Sequence, residues 1–561
     1  MSADSWITSG LWSLRSILQG TDAERPADKP RFPNDHPLHI ALRTYVLALS
    51  LSLGPALVPF LKPQPSRKSS ATLLAILSKE LGPTGFAFAM TTAVGGGAAL
   101  DYAWRHAEHS VQDKSDPHKV LHLRLQKLLR FFNLQPSQRT FLSNAISSLF
   151  AIALLQSRRR VSPILPITSQ TKPEATGVSP TLDLTLLLFV RSIDTLVQRV
   201  LHHEFDIRPS RMSNEGPDEL GRVNILKVAR LTTRIDAFVF WAASARIMWC
   251  FFYQPERLPR SYVLWIRSLA SIDQRLTDIL RAIAEGNWSY ERGSTTHKDV
   301  LASLAKDLGY PASWADPEII PAFGGRAVND VWRKLKIKGR SNVGGVPCEI
   351  VHGNIGNGLV GGSCLGNAGV RGIYGFLQAL AIYTPVHLFP VLFTRPQALL
   401  TKQLFKTIAS LCQSSLFLST FISSIWYTIC LTRTVVLARI FPNVSHDFWD
   451  GPYGCIMAGC LACGSSIWIE NGRRRGEMAL YVLPRALRAS LSAEWLRNGS
   501  ASVIIVERLT YAFSLATIMS AASHRPETLR GLTRWAVAFV LKGPEAGVWS
   551  RKGSKSPSPQ S

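Results

Sequence analysis

Apolar residues in this chain come in blocks, and strongly polar stretches separate the blocks. Several blocks are long enough for a helix that crosses a bilayer, which needs roughly 20 residues. They run about His39–Leu61, Gly82–Leu100, Phe141–Leu155 and Ile235–Tyr253, with three more between Val370 and Trp468 and a last one around Tyr511–Ala522. Leu182–Leu201 is apolar too, but it carries Asp183, Arg191, Asp194 and Arg199. The pattern predicts an all-α, polytopic integral membrane protein with about 8–10 membrane segments.

The densest block lies in Gly451–Leu491. From Tyr453 to Trp468 no residue is charged, and small side chains recur every fourth position at Gly454, Ala458, Ala462 and Ser466. Gly451, Cys455, Gly459 and Cys463 form a second row beside them. In lipid, small rows let helix backbones approach closely, so Gly454, Ala458, Gly459, Ala462 and Ser466 are expected to be helix-packing positions. The block stops at Glu470 and the basic turn Arg473-Arg474-Arg475, and a more polar helix follows.

The two halves read as tandem repeats. Tyr45 followed by Pro55 and Pro59 recurs as Tyr374 followed by Pro385 and Pro390. Lys62-Pro63-Gln64 matches Arg395-Pro396-Gln397, and Arg158-Arg159-Arg160 matches Arg473-Arg474-Arg475. Each half closes with Pro-Glu-X-Leu, at Pro255–Leu258 and Pro526–Leu529, and a short amphipathic helix. The expected organisation is a mobile arm over 1–35, a first membrane repeat over 36–285 and a polar linker over 286–345. A second membrane repeat over 346–545 and a disordered basic tail over 546–561 complete it. If both triple-Arg loops face the cytosol, the crossings between them are even in number. About four crossings per half, as parallel repeats, satisfy this; five per half, inverted, is the alternative.

Charge changes the picture of partners. The net charge is +25, a value usual for nucleic-acid binding. Here Lys and Arg flank apolar blocks and no recognition-helix or zinc-finger pattern appears, so membrane lipids are the expected partners and nucleic acid is not. Arg158, Arg159, Arg160, Arg473, Arg474 and Arg475 are read as lipid-headgroup contacts. The first 35 residues lack an apolar signal-peptide core, so targeting is expected to be internal.

Candidate chemistry is sparse. Cys348-x3-His352-x11-Cys364 lies in a Gly-rich stretch and offers three metal ligands, with no fourth evident from spacing. Cys412, Cys430, Cys455, Cys460 and Cys463 sit in apolar runs and read as packing residues. Arg191 and Asp194, at i,i+3, read either as a membrane-path pair or as interfacial charges. His106, His109, His118, His122, His202 and His203 are too few for the ordered boxes of a di-iron membrane oxidase and read as loop histidines. No phosphate loop, nucleophile elbow, zincin motif or dinucleotide fingerprint occurs. No cofactor is expected.

The second half resembles the transmembrane protein 135 family over about residues 345–543. The resemblance rests on Cys348-x3-His352 with Ser363-Cys364, on the Tyr374–Pro396 span and on Gly454 to Arg475 with Ala479-Leu480-Tyr481. Val506-Glu507-Arg508, Tyr511–Ala522, Gly531-Leu532 and Phe539-Val540 extend it. More distantly, the small-residue helix is similar to the family that includes mitochondrial inner-membrane translocases and a small peroxisomal membrane protein. The resemblance implies a multi-pass membrane protein of mitochondria or peroxisomes, with the endoplasmic reticulum as the alternative. It also implies links to lipid or fatty-acid handling and organelle dynamics, with other organelle membrane proteins as partners. The expected function is therefore non-enzymatic. A transporter or translocase-like pore is the second expectation and a His-cluster oxidase the third.

Overall fold

The computed structural model describes residues 36–61, 77–78, 80–109, 134–157, 179–205, 219–294, 297–355, 360, 362–394, 402–492, 495 and 500–543. The chain is an all-α membrane protein; the strands among the described residues are the two of a short antiparallel hairpin, Trp288–Ser289 with Gly293–Ser294. The principal helices are α1 (Pro37–Leu61), α2 (Phe86–His109), α3 (Pro136–Ser157), α4 (Leu182–Glu204) and α5 (Glu219–Tyr253). They continue with α6 (Arg260–Ala270), α7 (Gln274–Glu285), α8 (Lys298–Asp307), α9 (Cys364–Thr394) and α10 (Lys402–Cys430). The last are α11 (Cys455–Cys463), α12 (Gly472–Ser490), α13 (Ala501–His524) and α14 (Gly531–Lys542).

Five segments among the described residues are long and apolar enough to cross a membrane: 37–54, 136–157, 223–253, 404–440 and 501–524. α2 and α4 are of similar length, at 24 and 23 residues. The small-residue block does not form one spanning α-helix. Nine residues are α-helical and the next six, Gly464–Ile469, tighten to a 3-10 helix. Together they rise only about 25 Å, short of a bilayer core.

The chain divides into two compact units, residues 1–228 with 494–561, and residues 229–493. This partition does not follow the 36–285 and 346–545 division. In the first unit α1 packs on α2, α2 on α3, α3 on α13, and α13 on α4. In the second, α9 packs on α10, and α10 on α11 with its 3-10 extension. From Ala229 onward α5 belongs to the second unit, whereas α13 and α14 belong to the first. The helices that close each half are therefore exchanged. They are built alike: α5 and α13 each run into a 3-10 turn, Pro255–Arg257 and Pro526–Thr528, and then into α6 and α14.

Residues 286–345 are not a plain linker. Trp288, Tyr290, Leu301, Leu304, Ala305, Ala315, Val328 and Trp332 form a core of their own with Ile279, Val346 and Ile350. The polar, Gly-punctuated sequence hides this core because its elements are short and each contributes only a few apolar side chains. Gly286, Gly309 and Gly339 take left-handed turns that fold it back on itself.

Close approach sets the helix spacing. A Cβ on Gly95 would stand 2.8 Å from the Ala41 Cβ, and one on Gly97 would run into Asn144. In the second unit, a Cβ on Gly464 would stand 2.8 Å from the Trp241 Cα. The Trp241 indole donates to the Leu461 carbonyl beside it. Arg43, near the start of α1, is buried and donates to the Leu541 carbonyl at the C-terminal end of α14. A helix C-terminus offers unpaired carbonyls and partial negative charge, so it can hold an arginine away from water.

Candidate metal centre

Three chain segments converge in the second unit. Cys348 and His352 are four residues apart on a single helical turn, so both side chains lie on one face. Cys364 opens α9 and Cys430 closes α10. Donor atoms of Cys348, His352 and Cys364 all lie within 4.8 Å of one another, the one such group of His, Cys, Asp or Glu among the described residues. The Cys364 thiol donates to Cys348 at 3.8 Å. His352 Nε2 is 3.4 Å from the Cys430 sulfur, and Cys364 and Cys430 are hydrogen-bonded. Cys430, read from its apolar neighbourhood as a packing residue, is buried and touches the group through His352 and Cys364, but stands outside the three donors that are mutually within 4.8 Å.

A shell of buried arginines surrounds these donors. Arg340 Nη1 donates to the Cys348 sulfur at 3.5 Å, and its guanidinium stacks on Trp332. Arg371 donates to the carbonyls of His352 and Ala270, both at 2.8 Å, and lies 3.6 Å above Trp426. Directly after Cys430 the helix widens into a π-helical turn, Leu431–Val435, which turns Arg433 and Thr434 inward. Thr434 Oγ1 is 3.2 Å from the Cys348 sulfur.

Arg433 joins this cluster to a second network. It binds Asp450 through Nε–Oδ1 at 2.6 Å and Nη2–Oδ2 at 3.0 Å, and donates to the Val346 carbonyl at 2.8 Å. The Tyr290 hydroxyl donates to Asp450 Oδ2 at 2.6 Å. The backbone N–H of Tyr290 donates to Asp447 at 2.7 Å. His446 is buried with its Nδ1 4.0 Å from Asp450.

Burial decides the ionisation of these groups. It pushes the Asp450 carboxyl up, but the Arg433 charge and hydrogen bond outweigh it and hold the group below its ordinary range. It drives His446 down to about 3, against the pull of Asp450 and with the push of Arg433 and Arg340. It also lowers His352, so the imidazole is neutral and able to bind a metal. The hydrogen bond with Cys364, then burial, raises the Cys348 thiol.

Two cavities flank the network. One of about 70 Å³ is apolar, lined by residues such as Leu276, Ile279 and Ile425, and ends at Arg433, Asp450 and Tyr290. The other, about 390 Å³, is a polar cleft that reaches His352 and Arg371 past Asp273, Arg275 and Asp307.

The remaining sequence candidates fall elsewhere. Asp194 is held by Arg530, with Nη2–Oδ1 at 2.5 Å and Nε–Oδ1 at 2.8 Å; Arg191 is half-buried on the same helix, α4. Gly454 caps α11, Gly459 and Ser466 are buried, and Ala458 and Ala462 are half-buried. The continuously buried row is the second one, Gly451, Cys455, Gly459 and Cys463. Of the basic turn, Arg473 is exposed. Arg474 donates to Ser414 at 2.7 Å, and Arg475 donates to the Glu470 and Trp468 carbonyls, both at 2.9 Å. Arg158, Arg159, Arg160, His118 and His122 lie outside the described residues.

Sequence reasoning passed over Tyr290, Arg340, Arg371, Arg433, His446 and Asp450. Charged residues at the ends of apolar runs were the available signal, and Arg433, three residues after Cys430, carried it. Compared with protein-family models, curated proteins and solved structures, the chain matches none of them.

Proposed function

We propose that this chain is a non-enzymatic membrane protein of an organelle that moves or holds lipids. The observation that carries this reading is the set of polar side chains buried on α3 and α4. α3 buries Thr140, Ser143, Asn144, Ser147, Ser148 and Gln156 beside Ala151, Ile152 and Leu155, while Leu142, Ile146, Leu149 and Phe150 face outward. α4 buries Thr185, Ser192, Thr195 and Gln198 while Ile193, Leu196 and Val200 face outward. An apolar exterior suits acyl chains. The buried polar groups suit a headgroup, because buried hydroxyl and amide groups need partners and an amphiphile supplies them. Ser143 Oγ, Asn144 Oδ1 and Ser148 Oγ are buried without a hydrogen-bond partner in the protein.

The parallel construction of α5–α6 and α13–α14 supports an internal duplication, with the closing helices exchanged between bundles. The resemblance to the transmembrane protein 135 family supports a mitochondrial or peroxisomal location. A second reading, a pore for polar solutes, is favoured by Glu507, a carboxylate buried in a candidate span that accepts from Thr181 at 2.5 Å and Ser179 at 2.9 Å.

Reconstitution in vesicles containing headgroup-labelled phospholipid tests the main reading. Lipid translocation that Asn144→Leu with Ser147→Val abolishes is the expected result. Flux of soluble solutes without lipid movement replaces it with the pore. Tagged protein imaged against mitochondrial, peroxisomal and endoplasmic-reticulum markers tests the location.

A further inference from the structure

We propose that Cys348, His352, Cys364 and Cys430 bind one zinc ion, which ties the segment before α9 to the start of α9 and the end of α10. Zinc in a closed structural site takes four S or N ligands in a tetrahedron, at about 2.3 Å for thiolate and about 2.0 Å for imidazole. Those lengths put two thiolates about 3.8 Å apart and a thiolate and an imidazole nitrogen about 3.5 Å apart. The protein holds Cys348 and Cys364 at 3.8 Å and His352 and Cys430 at 3.4 Å. The fourth ligand, absent from the local Cys-x3-His pattern, comes from a helix end distant in sequence: Cys430 touches His352 and Cys364 but lies outside the three mutually close donors, so it draws inward when the ion binds.

Charge points the same way. Arg340 and Arg371 are buried, and no carboxylate lies within ion-pair distance of either among the described residues. Arg433 has Asp450. Buried cations without counter-ions are costly. Binding Zn²⁺ to three thiols and one neutral imidazole releases three protons and leaves a centre of net charge −1. That charge sits against Arg340, which already donates to the Cys348 sulfur. Arg371 holds the His352 carbonyl, fixing the backbone that carries the ligand. The polar cleft at His352 is the access path for the ion. With three sulfurs and one nitrogen the coordination shell is full, so the role is structural.

The test is elemental analysis of the full-length chain, purified in detergent without chelator, together with cobalt substitution. About one zinc per chain is expected, falling at least about tenfold in Cys430→Ser and unchanged in Cys412→Ser. His352→Cys, which keeps four soft ligands, retains the metal. Should Cys430→Ser fail to fold, cobalt uptake by the intact chain decides. The visible bands of tetrahedral cobalt with cobalt–thiolate charge transfer support the site, and their absence overturns it. Full zinc in a folded Cys430→Ser variant overturns the four-ligand assignment. Iron with a sulfide-type spectrum in place of zinc overturns the metal.

Discussion

Arg433 and Asp450 form a buried, two-point ion pair: Nε meets Oδ1 at 2.6 Å and Nη2 meets Oδ2 at 3.0 Å, with each side chain at most 6% exposed. The pair joins the π-helical turn after α10 to the loop before α11. Each charge also has neutral partners, the Val346 carbonyl for Arg433 and the Tyr290 hydroxyl for Asp450.

Removing one partner should cost far more than removing both. Asp450→Asn leaves the guanidinium buried without a counter-charge, and a loss of about 3–5 kcal/mol is expected. Arg433→Met with Asp450→Leu should recover most of that loss. Unfolding of the detergent-purified protein measures both. A double variant no more stable than Asp450→Asn would show that the pair's hydrogen bonds, not its charge, hold the loop.

His446 should make the second unit sensitive to mild acid. Burial keeps it neutral down to about pH 3 in the folded protein, while an unfolded histidine takes its proton near pH 6.5. The unfolded state therefore binds more protons between those values. The stability this group supports is fully present above pH 6.5 and is lost as pH falls toward 3, at most about 1.4 kcal/mol per pH unit. The facing groups are Asp450, Arg433, Arg340 and Tyr290. In His446→Gln the pH dependence between 6.5 and 4.5 should flatten, as followed by thermal unfolding. An unchanged slope would assign the acid sensitivity to other groups.

Gly464 is expected to be intolerant of any side chain. A Cβ there meets the Trp241 backbone, which cannot swing away as a side-chain tip can. Gly464→Leu should destabilise the packing of α5 on the 3-10 segment by about 1–3 kcal/mol or more. Gly309→Ala, at a turn with open space around it, separates the two effects: it carries only the cost of a left-handed backbone, φ +82°, roughly 1 kcal/mol. Equal losses would refute the close-approach account.

Asp194 and Arg530 should contribute measurably to the first unit. The carboxylate is 9% exposed and the guanidinium 26%, so the pair is partly screened. Asp194→Asn is expected to cost about 1.5 kcal/mol, the lower end for a charged hydrogen bond. The exchange Asp194→Arg with Arg530→Asp should restore part of it, and limited proteolysis of α14 is the readout. No protection in the exchanged protein would mean that the geometry, not the charge pair, matters.

Much of the candidate site was visible in the sequence. Cys348 and His352 stand at i,i+4 and Cys364 follows closely, so local spacing marks them. Cys430 was not visible, because an apolar helix end looks the same whether its cysteine packs or ligates. Arg340, Arg371 and Arg433 read as ordinary basic residues, since only burial distinguishes an arginine that faces a thiol from one that faces a headgroup. Arg474 and Arg475, read as headgroup contacts, are half-buried and also donate to Ser414 and to the Glu470 and Trp468 carbonyls, partners that local sequence does not mark.

By itself the sequence determined the class of fold. Apolar blocks of bilayer length, each bounded by charge or proline, have to become helices in lipid, since no water is there to satisfy an unpaired backbone. Tertiary structure alone decided the partnership of those helices. α5 and α13 differ little in pattern from helices that stay with their own half, yet each is counted in the other unit, because pairing depends on which small and polar side chains meet across a contact. It also decided the fate of 286–345, whose scattered tryptophans become a core only when short turns bring them together, and it brought Cys430 to His352 across 78 residues of chain.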